Sequence, residues 1–257
     1  MLPEHHLIIA NAGGVYVEIE TGADCHYEPA GLHRVHMDTC GAGAPGSCVR
    51  VNPLLVTSAG PPCGAGGEGG SGGPIAVGPW WAVEGAAPGA RTLLADHGAA
   101  NVSAVTLAPA FTVNSTRVSF GLSYELHGDG AVVTQRFDLT VGADGAAPTV
   151  AVTNSVSLTG PAPARLTRFG LQLPLFVFDG ATNVTAAVDA AANTATVSAP
   201  GWGSAAYAVT STRNISWTAD AAPPHVTRNG LMTQVFVETA FSTEEPDIVL
   251  SITGANA

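Results

Sequence analysis

Lysine is absent from this chain, and charge of either sign is scarce. All nine basic residues are arginines, and 20 carboxylates bring the formal net charge to -11. The arginines are spread singly from Arg34 to Arg228, so no basic patch of the kind that binds a nucleic-acid backbone is present. We therefore exclude nucleic acid as a partner, and we attribute the missing lysine to codon bias.

Long hydrophobic runs are also missing. No apolar run reaches the 18 or more residues that a membrane-spanning helix needs, so we expect a soluble protein without a membrane span. Good helix formers other than alanine are few, whereas the chain holds 31 glycines, 18 prolines and many β-branched residues. This composition favours strands and turns over helices.

Cysteine is rare and confined to the first quarter of the chain. The four cysteines contain no CxxC pair, which is weak evidence for zinc and better evidence for two disulfides in one of three pairings. They are Cys25, Cys40, Cys48 and Cys63. N-glycosylation sequons begin at Asn101, Asn114, Asn183 and Asn214. Together these features favour a secreted or lumenal protein.

The first residues lack the pattern of a signal peptide. The start, Met1-Leu2-Pro3-Glu4-His5-His6, has neither a basic region nor an apolar core. We therefore expect residues 1–257 to be one β-sandwich domain within a longer chain. The alternative is that the start of the gene was placed too late.

The pattern of strands predicts an all-β fold with little or no helix. Short β-branched runs flank turn signals such as Asn11-Ala12-Gly13-Gly14 and Gly128-Asp129-Gly130, and about fifteen strands result. The run 166–178 becomes continuously apolar, which predicts a central strand buried on both faces. So many strands exceed an immunoglobulin-like unit and predict a large antiparallel two-sheet β-sandwich of the supersandwich type.

One stretch has the composition of a loop. Residues 60–74 are almost entirely glycine and proline. We interpret this stretch as a flexible surface insertion, with a lid over a cleft as the functional alternative.

The densest chemistry lies in residues 24–38. This stretch contains three of the eight histidines, an arginine, a tyrosine and three carboxylates. If residues 32–37 form a strand, Leu32, Arg34 and His36 point to one face and His33, Val35 and Met37 to the other. Arg34 and His36 are therefore expected to share a surface that His33 does not reach.

A metal site in the same stretch is a weaker hypothesis. It would combine two of the three histidines with a carboxylate, but His33 and His36 lie on opposite faces of a regular strand. We predict no cofactor, and a structural metal stays the alternative. The candidate ligands are Asp24, His26, His33, His36 and Asp38.

Several distant residues complete the candidate site. Trp80 and Trp81 are expected to point to opposite faces, with one exposed for stacking on a sugar ring, and Trp202 lies between two glycines. His225 is the distant histidine that we keep as a partner for the site. His97 and His127 fall in turns, where a surface position is the default, and Trp217 is expected in the core.

The order of these features resembles the β-sandwich portion of heparinase II/III-like polysaccharide lyases. The similar segments are Gly13 to Glu20, Asp24 to His36, Ile75 to Trp81 and the meander around Tyr124 to Phe137. The resemblance implies β-elimination on an acidic polysaccharide, with tyrosine and histidine as base and acid. It also implies an α/α-toroid domain, absent from this sequence, as a partner on the longer chain.

The resemblance and the side chains together give a set of site residues. Elimination needs a group that neutralises the substrate carboxylate, a base and an acid. We predict Tyr27, His33, Arg34 and His36 as catalytic, and His26, Trp80, Trp202 and His225 as substrate-binding. In the alternative, the chain is a non-catalytic carbohydrate-binding or structural module in which Arg34 pairs with Glu28 or Asp38.

Overall fold

The structure is a computed structural model that describes most of the chain. The described residues are 6–21, 30–38, 50–56, 77–97, 102–108, 111–126, 130–141, 147–159, 165–178, 180–200, 203–221, 223–227, 230–240 and 247–255. Several candidate features lie outside them, namely all four cysteines, residues 60–74, and Asp24, His26, Tyr27, His127 and Trp202.

The described residues form nineteen β-strands. The first nine are β1 (Leu7–Ala12), β2 (Val15–Glu20), β3 (Gly31–Asp38), β4 (Arg50–Val56), β5 (Gly78–Val83), β6 (Thr92–Leu93), β7 (Val102–Leu107), β8 (Thr112–Val113) and β9 (Arg117–Leu126). The others are β10 (Ala131–Thr140), β11 (Thr149–Leu158), β12 (Leu166–Phe178), β13 (Thr185–Asp189), β14 (Thr194–Ala199), β15 (Gly203–Thr210), β16 (Ile215–Ala219), β17 (His225–Thr227), β18 (Gly230–Thr239) and β19 (Asp247–Ala255).

The helical content of the described residues is one 3₁₀ turn, Leu94–Asp96. None of the described segments is a helix of the length and hydrophobicity that a bilayer crossing requires.

These strands build three antiparallel sheets. Sheet A has the order β1-β2-β3-β4. Sheet B has the order β13-β14-β15-β19-β11-β10-β9-β7, with β8 also paired to β9. Sheet C has the order β16-β18-β12-β5-β6, with β17 paired to β18. The all-β sandwich predicted from the sequence is confirmed, and the strands that face sheet B are divided between sheets A and C.

Alternation of side chains explains how the layers pack. Along β10 and β11, buried residues such as Phe137 and Val152 alternate with partly exposed ones, so sheet B has one apolar face. Strands β1 and β4 of sheet A contact this sheet, and so does β5 of sheet C. Buried residues from all three sheets form one continuous hydrophobic core, which includes most of the buried apolar side chains.

The central strand of sheet C is buried on both faces, as predicted. Every residue from Phe169 to Phe176 in β12 is buried, which matches the continuous apolar run in the sequence. Pro53 lies in β4, at the edge of sheet A, where a proline costs no hydrogen bond to a further strand. The register of β3 and β4 shifts between Val35 and Met37.

A buried tyrosine connects sheets A and B. The Tyr124 hydroxyl donates a hydrogen bond of 3.2 Å to the Glu20 carbonyl oxygen, and Tyr124 is fully buried. We expect Tyr124→Phe to lower the free energy of unfolding by about 1 kcal/mol, because a buried acceptor loses its donor. Denaturant titration measures this change. The control is Tyr16→Phe, because water can take the place of the half-buried Tyr16 hydroxyl. Equal losses of unfolding free energy in both variants would show that the buried hydrogen bond of Tyr124 is not the cause.

Candidate functional site

Four polar side chains meet on the solvent face of sheet A. In the pairing of β2 with β3, Tyr16 lies opposite His36 and Glu18 lies opposite Arg34. All four side chains are partly exposed, whereas Val17 and the other alternate residues enter the core. We call Tyr16, Glu18, Arg34 and His36 the sheet A cluster.

Glu18 holds the cluster together. The Tyr16 hydroxyl donates a hydrogen bond of 2.7 Å to Glu18 Oε1, and Arg34 Nη1 lies 3.5 Å from Glu18 Oε2. The His36 ring packs edge-to-face against Tyr16, with 5.5 Å between the ring centroids. Because the contact of Arg34 is long and involves one nitrogen, its other N–H donors can still bind a ligand oxyanion.

The environment of Tyr16 keeps its hydroxyl protonated. Burial, the hydrogen bond to Glu18 and the charge of Glu18 raise the pKa of Tyr16 to about 12, although Arg34 acts in the opposite direction. A phenol with this pKa is a proton donor at neutral pH. Imidazole is the side chain that most readily accepts a proton in that range.

A titration tests this electrostatic assignment. We expect Glu18→Gln to lower the pKa of Tyr16 from about 12 part of the way toward 10, because the negative charge disappears while burial persists. Tyrosinate absorbance, taken as the difference from Tyr16→Phe in each background, measures it. An unchanged or higher pKa in Glu18→Gln would contradict the role of Glu18.

The structure brings together two of the four residues predicted as catalytic. Arg34 and His36 share one surface, as the alternation predicted. Tyr27 lies outside the described residues. Arg34 pairs with Glu18, its cross-strand neighbour. Glu28 and the side chain of Asp38 lie outside what the structure describes, so the predicted pairing of Arg34 with either of them stays a prediction.

A register shift separates His33 from this surface. Glu18 pairs with Arg34, but the next residue, Ile19, pairs with Leu32, so His33 is an extra residue on β3. His33 is 4% exposed, and Leu32 is buried as well. The expected common face of Leu32 and Arg34 was therefore wrong.

Glu20 also departs from simple alternation. Strict alternation along β2 would put Glu20 on the solvent face with Tyr16 and Glu18, but Glu20 is 3% exposed and follows the register shift. The shift turns the end of β2 toward the core, where the Tyr124 hydroxyl donates its hydrogen bond to the Glu20 carbonyl oxygen.

The tryptophan prediction was half right. Trp80 and Trp81 do point to opposite faces of sheet C, since Trp81 belongs to the main core and Trp80 to a separate small cluster. The expectation that one is exposed was wrong, because both are at most 1% exposed. The Arg91 and Arg168 side chains lie over Trp80.

Three further predicted positions can be compared with the structure. His225 lies on β17 in sheet C, with Nε2 3.5 Å from Asp220 Oδ2, and not in the sheet that carries Arg34. His97 is buried and stacks on Trp81, so its expected surface position was wrong. Trp217 packs against the core but is only partly buried.

No metal-binding group is evident in the described part of the chain. Within the described ranges, no three histidine, cysteine, aspartate or glutamate side chains lie close enough to hold an ion. Of the candidate ligands, Asp24 and His26 are outside these ranges. The hypothesis of a structural metal stays untested.

Sequence reasoning missed Tyr16 as a site residue. Its alternation with Val15 and Val17 already placed it on the wet face of β2. The missing information was the register between β2 and β3, which puts Tyr16 opposite His36.

Comparison with solved structures supports the same fold. A heparan sulfate lyase HepC mutant from Pedobacter heparinus matches 98% of this chain with a TM-score of 0.52 and 5% identity. Two heparinase III structures each match all of this chain with a TM-score of 0.50. The one with methylated lysines is 8% identical to this chain, and the other is 9% identical. No family model and no curated protein matches the sequence.

The matched structures are much longer than this chain. The chain covers 37% of the heparinase III chain and 36% of the HepC chain. The resemblance to the β-sandwich portion of such lyases is thereby confirmed for the fold. At this identity the likeness is one of architecture.

Proposed function

We propose that this chain is the β-sandwich part of a polysaccharide lyase-like enzyme that cleaves an acidic polysaccharide by β-elimination. The observation that carries the proposal is the meeting of a guanidinium, an imidazole and a phenol on one exposed sheet face. These are the group types that elimination beside a carboxylate requires. The fold shared with heparinase III and HepC supports the same reaction class.

The proposed roles follow from the chemistry of each side chain. Arg34 binds the substrate carboxylate and makes the neighbouring C–H more acidic. His36 removes that proton, the glycosidic C–O bond breaks, and a carbon–carbon double bond forms in the uronate ring. Tyr16, whose raised pKa keeps it protonated, donates a proton to the departing oxygen.

The overall charge makes the local arginine important. With a net charge of -11, the average field of the chain repels a polyanion. A substrate carboxylate would compete with Glu18 for Arg34, whose present contact is a single one of 3.5 Å. Binding is therefore expected to weaken as salt rises.

Two parts of the proposal concern the whole protein. Because the matched lyases are longer, we propose that an α-helical domain on the same full-length chain completes the cleft. We also propose that the protein is secreted, since polysaccharide substrates are extracellular. Asn114, Asn183 and Asn214 are exposed, as glycosylation at these sequons would require.

A non-catalytic carbohydrate-binding or structural module is the second candidate. It is favoured by the fact that Glu18 already bonds both Tyr16 and Arg34, as in a satisfied surface network. Such a network needs no substrate to explain it.

An activity assay separates the two candidates. The absorbance of unsaturated uronate is followed on a panel of acidic polysaccharides, with this chain and with the full-length gene product. We expect cleavage by the full-length protein and little or none by residues 1–257 alone. Full-length protein that is folded and binds polysaccharide, yet forms no unsaturated product, would favour the non-catalytic module.

A further inference from the structure

The outer face of sheet C carries a second cluster, distant in topology from the sheet A cluster. Trp80 lies opposite Gly170, and Gly170 lies opposite Glu238, so three adjacent strands contribute to one row. Phe236 and Arg91 complete the group, which we call the Arg91 cluster. It lies on the opposite side of sheet C from the main core, since Trp80, Leu93 and Ala95 form a hydrophobic cluster of their own against Phe236.

Arg91 is held by aromatic rings and not by a carboxylate. Its guanidinium carbon lies 3.8 Å from the centre of the Phe236 ring and 5.1 Å from that of Trp80. Among the described residues, no carboxylate lies within ion-pair distance of Arg91. Arg168 differs, because two of its nitrogens bond the Glu238 carboxylate at 2.8 and 2.6 Å.

The electrostatic environment of Arg91 is unfavourable for a cation. Burial and the nearby charge of Arg168 lower the pKa of Arg91, and Glu238 and Asp220 only partly offset this. A guanidinium that is half-buried, stacked and close to a like charge gains more from an added anion than an exposed arginine does.

Buried donors in the same region lack acceptors. Trp80 Nε1, Arg91 Nε and Gln234 Nε2 are buried, and within the described residues none of them has a hydrogen-bond partner. Leaving such a donor unpaired is unfavourable, because burial removes its hydrogen bond to water and the protein supplies none in exchange. Of these three side chains, Arg91 alone is partly exposed, so its guanidinium is the group that an oxyanion can reach from solvent.

We propose that the Arg91 cluster is a second binding site for acidic saccharide, in which Arg91 takes the carboxylate or sulfate of a sugar residue outside the cleavage site. The choice of a saccharide rests on the proposed function, whereas the choice of an anion rests on the cluster itself. The site anchors the polymer and takes no part in bond cleavage.

Calorimetric titration of this chain tests the site apart from the sheet A cluster. The background is Arg34→Gln, and the probes are a heparan sulfate tetrasaccharide, its desulfated form and a neutral cellulose tetrasaccharide. We expect Arg91→Gln to weaken binding of the acidic probes at least tenfold and Arg91→Lys to weaken it less, because lysine keeps the charge without the planar fork. Binding of the desulfated probe identifies carboxylate as the anion, and its loss identifies sulfate.

The matched control is Arg136→Gln, because Arg136 is an exposed arginine on sheet B and its replacement removes the same charge. We expect it to bind like its parent. Equal weakening by Arg136→Gln, or unchanged affinity in a folded Arg91→Gln, would overturn the proposal. Failure of the lyase hypothesis is distinguishable, because full-length protein without cleavage activity can still show tetrasaccharide binding that depends on Arg91.

Discussion

Replacement of His36 by alanine in the full-length protein is expected to lower kcat for polysaccharide cleavage by about 10²- to 10⁴-fold, which is the usual contribution of one general acid or base. The reason is that His36 is the imidazole beside Tyr16 and Arg34 on the exposed face of sheet A. Formation of unsaturated product under saturating polysaccharide measures the change.

Two related variants separate the roles within the cluster. Arg34→Gln is expected to raise KM as well as lower kcat, because under the proposed function Arg34 binds the substrate carboxylate in the ground state and binds it more strongly in the transition state. Asn11→Ala is the matched control, since Asn11 is exposed and lies opposite Tyr16 on the neighbouring strand β1. Full activity in His36→Ala would remove His36 from the mechanism.

Replacement of Gly170 by alanine is expected to cause the largest loss of stability among single methyl additions to sheet C. A Cβ at Gly170 would overlap the Val237 carbonyl oxygen and lie 2.7 Å from the Trp80 ring. Neither can move freely, because Val237 is on the paired strand β18 and Trp80 is fully buried. We expect a loss of about 3 kcal/mol or more, or failure to fold.

The neighbouring glycine of sheet C provides the control. A Cβ at Gly78 meets no atom within 4 Å, although Gly78 is buried in β5 and pairs with β12 as Trp80 does. Gly78→Ala should therefore change the free energy of unfolding little, as measured by denaturant titration. Similar losses for Gly78→Ala and Gly170→Ala would show that the close packing of Trp80 on Gly170 is not the cause.

The strands that were predicted well have strong local signals. The bounds of β11 and β12 follow directly from an alternating run and from a continuous apolar run, respectively. Residues 102–113 contain two separate strands, β7 and β8, which both pair with β9, and the local sequence pattern does not mark the break between them. The two-residue strand β6 has too few residues for any periodic pattern.

The candidate site was predictable only as far as alternation holds. The shared face of Arg34 and His36 followed from the period of two, whereas the positions of His33 and Glu20 depend on a register shift that no local pattern marks. Burial of Trp80 depends on Arg91, Arg168 and Phe236, which come from three other parts of the chain. Contacts between residues so far apart in the sequence are set by tertiary packing and leave no local pattern.

The central claim is that acidic saccharide binds the exposed face of sheet A. The most direct measurement is an NMR titration of this chain with a heparan sulfate tetrasaccharide, with the backbone amide signals of β2 and β3 monitored. We predict that the signals of Val15–Glu20 and Gly31–Asp38 shift with saturation, and that Arg34→Gln weakens this response while Asn11→Ala does not. If the tetrasaccharide saturates the protein and these strands show no change, the sheet A cluster is not a saccharide site.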